Sequence, residues 1–233
     1  MNLRLGELYS QIPVSFSQKV EELNRCHYVE HKITNPWLMA ASKHYYEASK
    51  RIMYIGQEPF TWLGEVDNGA YRHENIPVLL PNLYDIFVNE EHGYNSPIWS
   101  LFRRFISIRP DVGFIAGNVA KCGYVGKTGF DTDINIELAY MLREEIRICQ
   151  PDMILFVCDP NYDDHINKCT HIIKKLPCID GLSDRKLCKL CLEGIATTQI
   201  YRTYHPAYLQ RQKKKYKWVN SIYEFLEDKV KSI

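Results

Sequence analysis

The sequence predicts an α/β protein: a single three-layer α/β/α sandwich around a central, mostly parallel four-stranded sheet. Short apolar runs alternate with amphipathic helical patterns, and such alternation implies right-handed crossovers between parallel strands. Residues 153–158 are apolar at consecutive positions, as in a strand covered on both faces. With 233 residues, 45% of them hydrophobic and 24% charged, we expect one domain over 1–233, with a core at about 36–233 and an N-terminal helical extension at 1–35.

The first half of the chain contains two predicted strands and two predicted helices. Residues 36–50 carry Ala, Met, Leu and Glu at helical spacing, and 51–56 (RIMYIG) form a short strand closed by glycine. Ser96 suits the N-cap, and Pro97 the first position, of the next helix. The apolar face of that helix consists of Ile98, Leu101, Phe102 and Phe105. A second strand follows at 112–118 (VGFIAGN).

The second half begins with the clearest amphipathic helix, at 134–149, where apolar side chains recur every three to four positions. Pro151 ends this helix, and a third strand follows at 153–158. The remaining predicted elements are a helix at 163–175, an irregular segment at 176–198, a fourth strand at 199–203 and a closing helix at 217–231.

Charge and hydropathy restrict the class of protein. The 29 basic and 28 acidic side chains give a net charge of +1, so attraction to nucleic acid must come from a local patch. No apolar run approaches the roughly 18 residues that a membrane-spanning helix needs. Residues 1–10 lack the continuous apolar segment of a signal peptide. We expect an intracellular protein, either bacterial cytoplasmic or nuclear, that is monomeric and not bound to a membrane.

The chain has eight cysteines, but without a secretory signal we expect no disulfide framework. Cys149 and Cys158 lie in apolar stretches, which is typical of buried hydrophobic positions. Cys188 and Cys191 form one C-x-x-C pair, which is only half of a zinc or iron–sulfur site. We therefore expect no metal, with Cys122, Cys188 and Cys191 as the ligands to consider if there is one.

Chemically active side chains follow three of the four predicted strands. Glu58 lies in the loop after the first strand, Asn118 ends the second and His205 follows the fourth. Because ligands bind beyond the carboxyl ends of parallel strands, these three groups should converge on one edge of the sheet. Taken singly, each has another interpretation: a solvated carboxylate, a turn-forming asparagine and a histidine that caps a helix.

Residues 199–219 contain six basic side chains and no acidic one. The basic residues are Arg202, Arg211, Lys213, Lys214, Lys215 and Lys217. They are interleaved with Tyr204, Tyr208, Tyr216 and Trp218, a pattern that suits a phosphate backbone with splayed bases. The sequence thus predicts a phosphate-binding groove beside the strand ends, and an ordinary solvated surface is the alternative.

The ordered loops resemble those of the uracil-DNA glycosylase superfamily. They are a Gly-Gln-acid-Pro-aromatic loop at 56–60, an Asn-Val-x-Lys loop at 118–121 and a His-Pro-x-x-Leu loop at 205–209. The second and third loops, with Cys122 and Arg211, are similar to the iron–sulfur-containing branch. The first is similar to the classical branch, where the acid is Asp and the aromatic Tyr. The resemblance extends over residues 51–211.

The resemblance implies a DNA glycosylase of base-excision repair that hydrolyses the N-glycosidic bond of uracil, or of a related damaged pyrimidine, flipped out of DNA. DNA containing a damaged base is then the partner. Glu58 would orient a water and stabilise the cationic sugar. His205 would donate a hydrogen bond to the uracil O2, where negative charge collects. No cofactor or metal is needed for this chemistry.

The same resemblance assigns binding residues. Asn118 would hydrogen-bond the uracil edge, Phe60 would block the C5 position and Leu209 would fill the vacated base stack. The other implied substrate contacts are Gly56, Gln57, Pro59 and, as the ring that stacks on uracil, Tyr71. The other implied DNA contacts are Pro206, Tyr208, Arg211, Lys213, Lys214 and Lys215.

Three departures from the family pattern leave alternatives open. Glu58 is one methylene longer than Asp, and a displacement of about 1 Å can cost roughly a hundredfold in rate. Cys26 is the lone N-terminal cysteine, whereas the iron–sulfur branch has two there, so we expect no cluster. Residues 179–194 have no predicted role. The alternatives are an inactive nucleic-acid-binding protein of the same fold and a small-molecule or nucleotide hydrolase that uses the same sheet edge.

Overall fold

The computed structural model describes residues 1–26, 31–62 and 76–233, and within them six strands form one mixed sheet. The strands are β1 (Arg51–Gly56), β2 (Gly113–Asn118), β3 (Met153–Val157), β4 (Ile172–Pro177), β5 (Leu187–Leu192) and β6 (Gln199–Thr203). Their order across the sheet is β2-β1-β3-β6-β5-β4. The protein is therefore an α/β protein with a mixed sheet.

The four predicted strands form the parallel part of this sheet. β1 pairs in parallel with β2 and β3, and β3 pairs in parallel with β6. Every residue of β2 and β3 is buried, as are all but the first of β1 and β6, because both faces of the sheet are covered. The predicted number of four strands is wrong, since β4 and β5 extend the sheet beyond β6.

The hairpin of β4 and β5 replaces two predicted elements. The helix predicted at 163–175 ends at Thr170, where His171 takes a left-handed conformation, and β4 follows. The segment 176–198, predicted to be irregular, contains β5. The sequence of β4 lacks the apolar pattern of a buried strand, because β4 lies at the edge of the sheet and exposes lysines. Exposed lysines are a common way to protect an edge strand.

Helices cover the sheet and precede it. They are α1 (Asn2–Tyr9), α2 (Val14–Arg25), α3 (Lys43–Glu47), α4 (Ile76–Tyr84), α5 (Pro97–Ile108), α6 (Thr132–Glu137), α7 (Ala139–Cys149), α8 (Asp163–Thr170), α9 (Pro206–Gln212) and α10 (Trp218–Lys231). α5 and α10 lie where the sequence predicts them. None of the helices among the described residues is long and apolar enough to span a bilayer.

Two helix predictions need correction. The helix predicted at 134–149 is two helices, α6 and α7, with Leu138 between them. Of the helix predicted at 36–50, only α3 is helical, because the chain before it bonds elsewhere. The amide of Met39 donates to the Tyr9 hydroxyl at 2.9 Å and that of Ala41 to Asn2 Oδ1 at 2.9 Å.

The two faces of the sheet carry different packing. Tyr54 and Tyr201 share one face, since both are in register with Leu155, and they contact α5 and α10 through Phe102 and Phe225. The helices α1 and α7 pack together. Between them Glu145 accepts a hydrogen bond from the Tyr9 hydroxyl. This arrangement leaves the carboxyl ends of the parallel strands free to form a site.

Candidate active site

The loops after β1, β2 and β6 open on a shared cavity of about 960 Å³. Glu58, Asn118 and His205 all line it. The structure thus brings together the three groups that the strand-end argument selects, although they are far apart in the chain. Their surroundings differ in ways that restrict what each can do.

Asn118 contributes a side chain that is mostly buried at the edge of the cavity. It is 8% exposed, and its carboxamide makes no hydrogen bond to any described residue. A Cβ atom on Gly56 would lie 2.7 Å from Asn118 Oδ1, so glycine at position 56 makes room for the carboxamide. Backbone bonds from Val119 to Gly56 and from Ala120 to Gln57 hold the two loops side by side. Because Asn118 lines the cavity, its carboxamide is available to hydrogen-bond a ligand there.

Glu58 has a contrasting environment, because both of its carboxylate oxygens accept hydrogen bonds. The backbone N–H of Gly129 donates to Oε1 at 2.7 Å, and the Tyr162 hydroxyl donates to Oε2. Gly129 has φ +109°, a conformation that favours glycine. Burial and the charge of Glu58 raise the pKa of Tyr162, so its hydroxyl keeps its proton. The carboxylate is therefore held in place through both oxygens.

His205 caps α9 and also lines the cavity. Its Nδ1 accepts the N–H of Ala207 at 3.2 Å, so the ring proton is on Nε2. Burial, and secondly the charge of Arg211, lower the pKa of His205 to about 4. At neutral pH the imidazole is uncharged. It can donate a hydrogen bond through Nε2 but has no second proton to transfer.

The remaining residues of the first loop have distinct positions. Gln57 donates through Nε2 to the Cys158 carbonyl at 2.9 Å and so ties the end of β1 to that of β3. Pro59 is buried, and its carbonyl leaves no room for a Cβ atom on Gly123. Phe60 lies on the rim with 57% of its surface exposed, which does not fit a ring that closes the C5 side. Tyr71 lies outside the described residues.

An aromatic wall lines the same cavity as these polar groups, and the sequence analysis does not predict it. It consists of Trp37, Trp62, Phe87, Tyr94 and Trp99. Trp37 and Trp62 have ring centroids 4.5 Å apart, and Phe87 contacts Trp62 at 5.4 Å. The buried Nε1 of Trp62 has no hydrogen-bond partner among the described residues. These residues are scattered between positions 37 and 99 without periodicity, so no local sequence signal identifies them.

Asp159 and Tyr162 also line the cavity and were not predicted. They follow β3, the remaining parallel strand. Because ligands bind beyond the carboxyl ends of parallel strands, the position of these two residues after β3 is a signal in the sequence that points to them.

The helix α9 separates the predicted DNA contacts into two groups. Tyr208 and Arg211 line the cavity, and Lys213–Lys215 continue along the exposed surface. Pro206 is buried, and Leu209 is 0% exposed within the hydrophobic core. Leu209 therefore does not fit the role of a wedge that enters a base stack.

Arg202 does not belong to the surface charge either. It is 1% exposed and donates to both oxygens of Asp163, at 2.8 and 2.9 Å. Lys175 donates to the same carboxylate at 2.7 Å. The basic surface therefore consists of the five residues from Arg211 to Lys217.

The cysteines considered as metal ligands are dispersed. Cys188 and Cys191 are three positions apart on β5, so their side chains point to opposite faces of the sheet. Burial raises the pKa of Cys188 to about 11, and burial also raises that of Cys122, so both thiols keep their protons. Among the described residues, no three His, Cys, Asp or Glu side chains form a metal site.

No protein-family model matches the chain, and a search of curated proteins found no match. The cavity and its side chains therefore carry the conclusion about function.

Proposed function

We propose that this protein is a DNA glycosylase that hydrolyses the N-glycosidic bond of uracil, or of a related damaged pyrimidine, flipped out of DNA. The observation that carries the proposal is the buried Asn118 carboxamide, which has no partner among the described residues and shares a cavity with Glu58 and His205. The resemblance of the three loops to the uracil-DNA glycosylase superfamily supports the same assignment. It also implies the three-layer α/β/α fold of that superfamily.

The cavity has the two features that a flipped base requires. A planar base is apolar on its faces, and the wall around Trp37 and Trp62 offers aromatic surface to it. The base edge needs hydrogen bonds, and the carboxamide of Asn118 offers a donor beside an acceptor. This pair matches O4 and N3–H of uracil, whereas cytosine presents the reversed order of donor and acceptor.

The chemistry follows from where charge develops. As the C1′–N1 bond breaks, its electron pair leaves with the base and the sugar becomes cationic. The neutral His205 donates its Nε2 proton in a hydrogen bond to O2 of the departing base, which stabilises the negative charge. The carboxylate of Glu58, held by Gly129 and Tyr162, stabilises the cationic sugar. Water then adds to C1′ and its proton passes to Glu58.

A second function has one specific observation in its favour. Both oxygens of Glu58 are already engaged, which reduces their capacity to orient a water. A protein that kept the cavity and the basic surface but lost hydrolysis would bind nucleic acid without cutting the glycosidic bond. The third possibility, a hydrolase of small molecules, gains nothing from the basic surface.

The test is release of uracil from an oligonucleotide that carries one uracil, followed by alkaline cleavage of the abasic strand. We expect the activity to fall about 10²- to 10³-fold in Asn118→Ala and in His205→Ala, as for loss of one preorganised donor. Asn220→Ala, on the exposed surface of α10, is the matched control and should remain fully active. Tight DNA binding without any cleavage would instead establish the inactive binding protein.

A further inference from the structure

We propose that the protein selects single-stranded DNA over duplex, and that the strand lies along a row of aromatic rings that begins at the cavity. This aromatic track consists of Tyr208, Tyr204, Trp218 and Tyr216. The choice of DNA rests on the proposed function, while the preference for a single strand rests on the features described below.

The track connects the cavity to the surface. Tyr208 lines the cavity, and its ring centroid lies 4.6 Å from that of Tyr204. Tyr204 lies 6.3 Å from Trp218, and Trp218 stacks on Tyr216 at 5.9 Å with an interplanar angle of 26°. Tyr216 at the outer end is 49% exposed. A strand whose flipped nucleotide enters the cavity would find aromatic surface for its neighbouring bases, and such stacking needs unpaired bases.

Positive charge accompanies the track. Arg211 and the lysines at 213–215 and 217 are exposed, and none of them forms an ion pair with a described residue. Lys186, the residue before β5, places its ammonium 4.8 Å from the Trp218 ring centroid. Aromatic rings for the bases beside unpaired cations for the phosphates are the two components of single-strand binding sites.

The position of Leu209 supplies an independent reason. Flipping a nucleotide out of a duplex costs a few kcal/mol and leaves a gap in the stack that an inserted side chain usually fills. Leu209 is 0% exposed, and Pro206 on the same helix is also buried. The outer face of α9 instead presents Gln210 and Arg211. In a single strand there is no opposing stack to refill, so the burial of Leu209 carries no penalty.

The experiment measures binding to uracil-free DNA by fluorescence anisotropy. A labelled 20-nucleotide strand of mixed sequence is compared with its duplex and with the RNA strand of equivalent sequence, at several salt concentrations. We expect the single DNA strand to bind at least tenfold more tightly than the duplex. Tyr216→Ala should weaken single-strand binding about tenfold, as for loss of one stacked base.

Two matched controls separate the track from surface effects in general. Tyr46→Ala removes a tyrosine of similar exposure, 44%, from α3 and should leave binding unchanged. Reversal of Lys213–Lys215 to Glu should reduce the slope of log K against log salt by about 2 for single strands. Reversal of three other exposed lysines, Lys168, Lys174 and Lys189, should have a smaller effect on that slope.

The inference is overturned if duplex binds as tightly as the single strand, if Tyr216→Ala behaves like Tyr46→Ala, or if the RNA strand binds more tightly than the DNA strand. Because the probe contains no uracil, these outcomes are separate from the glycosylase assay. An active glycosylase that prefers duplex would refute only the track, and an inactive protein that binds single strands through Tyr216 would refute only the enzyme.

Discussion

Asn118 ends β2 and Lys121 follows it by three residues; both side chains are buried, but their environments are opposite. Asn118 faces the cavity and makes no hydrogen bond to a described residue. Lys121 is 2% exposed and donates to Glu145, which also accepts from Tyr9. The end of β2 therefore presents an amide to the cavity, and the loop that follows places a paired charge in the core. The ion pair of Lys121 is complete in the free protein, whereas the carboxamide of Asn118 is available to a ligand.

The largest expected effect is on the core side of this comparison. Lys121→Met leaves the carboxylate of Glu145 buried without its cation, and breaking such a pair costs about 3–5 kcal/mol in the free energy of unfolding. Urea denaturation measures it. Lys19→Met breaks an exposed pair with Glu137 and should cost about 1 kcal/mol or less. Equal losses in the two variants would show that the buried pair has no special role.

On the cavity side, Asn118→Ala should separate activity from stability. No bond within the described protein is lost, so we expect the free energy of unfolding to change by less than about 0.5 kcal/mol, a typical value away from specific interactions. Uracil release should fall strongly, as stated above. A large loss of stability in Asn118→Ala would mean that the amide is structural, and the comparison with Lys121 would fail.

Gly56→Ala tests how tightly the carboxamide is placed. The added methyl group would approach Asn118 Oδ1 to 2.7 Å and Ile98 Cδ1 to 3.0 Å, so the amide must move. A shift of about 1 Å should lower kcat/KM roughly a hundredfold. Gly6→Ala is the control, because a Cβ atom there meets nothing within 4 Å and helix α1 should gain about 0.5–1 kcal/mol. An active Gly56→Ala enzyme would exclude Asn118 as the base-reading group.

The smallest expected effect concerns pH. Burial lowers the pKa of His205 to about 4 from an ordinary value of 6.5, and burial lowers that of His165 similarly. The unfolded chain then binds more protons than the folded one between these values, so stability should fall as pH decreases from 6.5 to 4. Activity should show no transition of His205 near pH 6.5. A His205 proton titration near 6.5, followed by NMR, would contradict the neutral donor.

The sequence predicts the parallel strands and the polar groups at their ends because both depend on local patterns. Largely apolar runs mark β2 and β3; Asn118 ends β2, and Glu58 and His205 each lie two residues after a strand. The aromatic wall was not predictable, since Trp37 and Trp99 meet only through the tertiary fold. Leu209 shows a different limit: a motif gives the order of residues, but only packing decides which side of a short helix is buried.

The turn that leads into β5 is bonded to the end of β6 through its main chain. Arg202 donates to the carbonyl oxygens of Asp184 and Arg185, and the Thr203 hydroxyl donates to that of Lys186. Any residue supplies a carbonyl, so these three bonds do not depend on which side chains the turn carries. Substitution of Lys186 can therefore change the charge beside Trp218 while the turn stays bonded to β6.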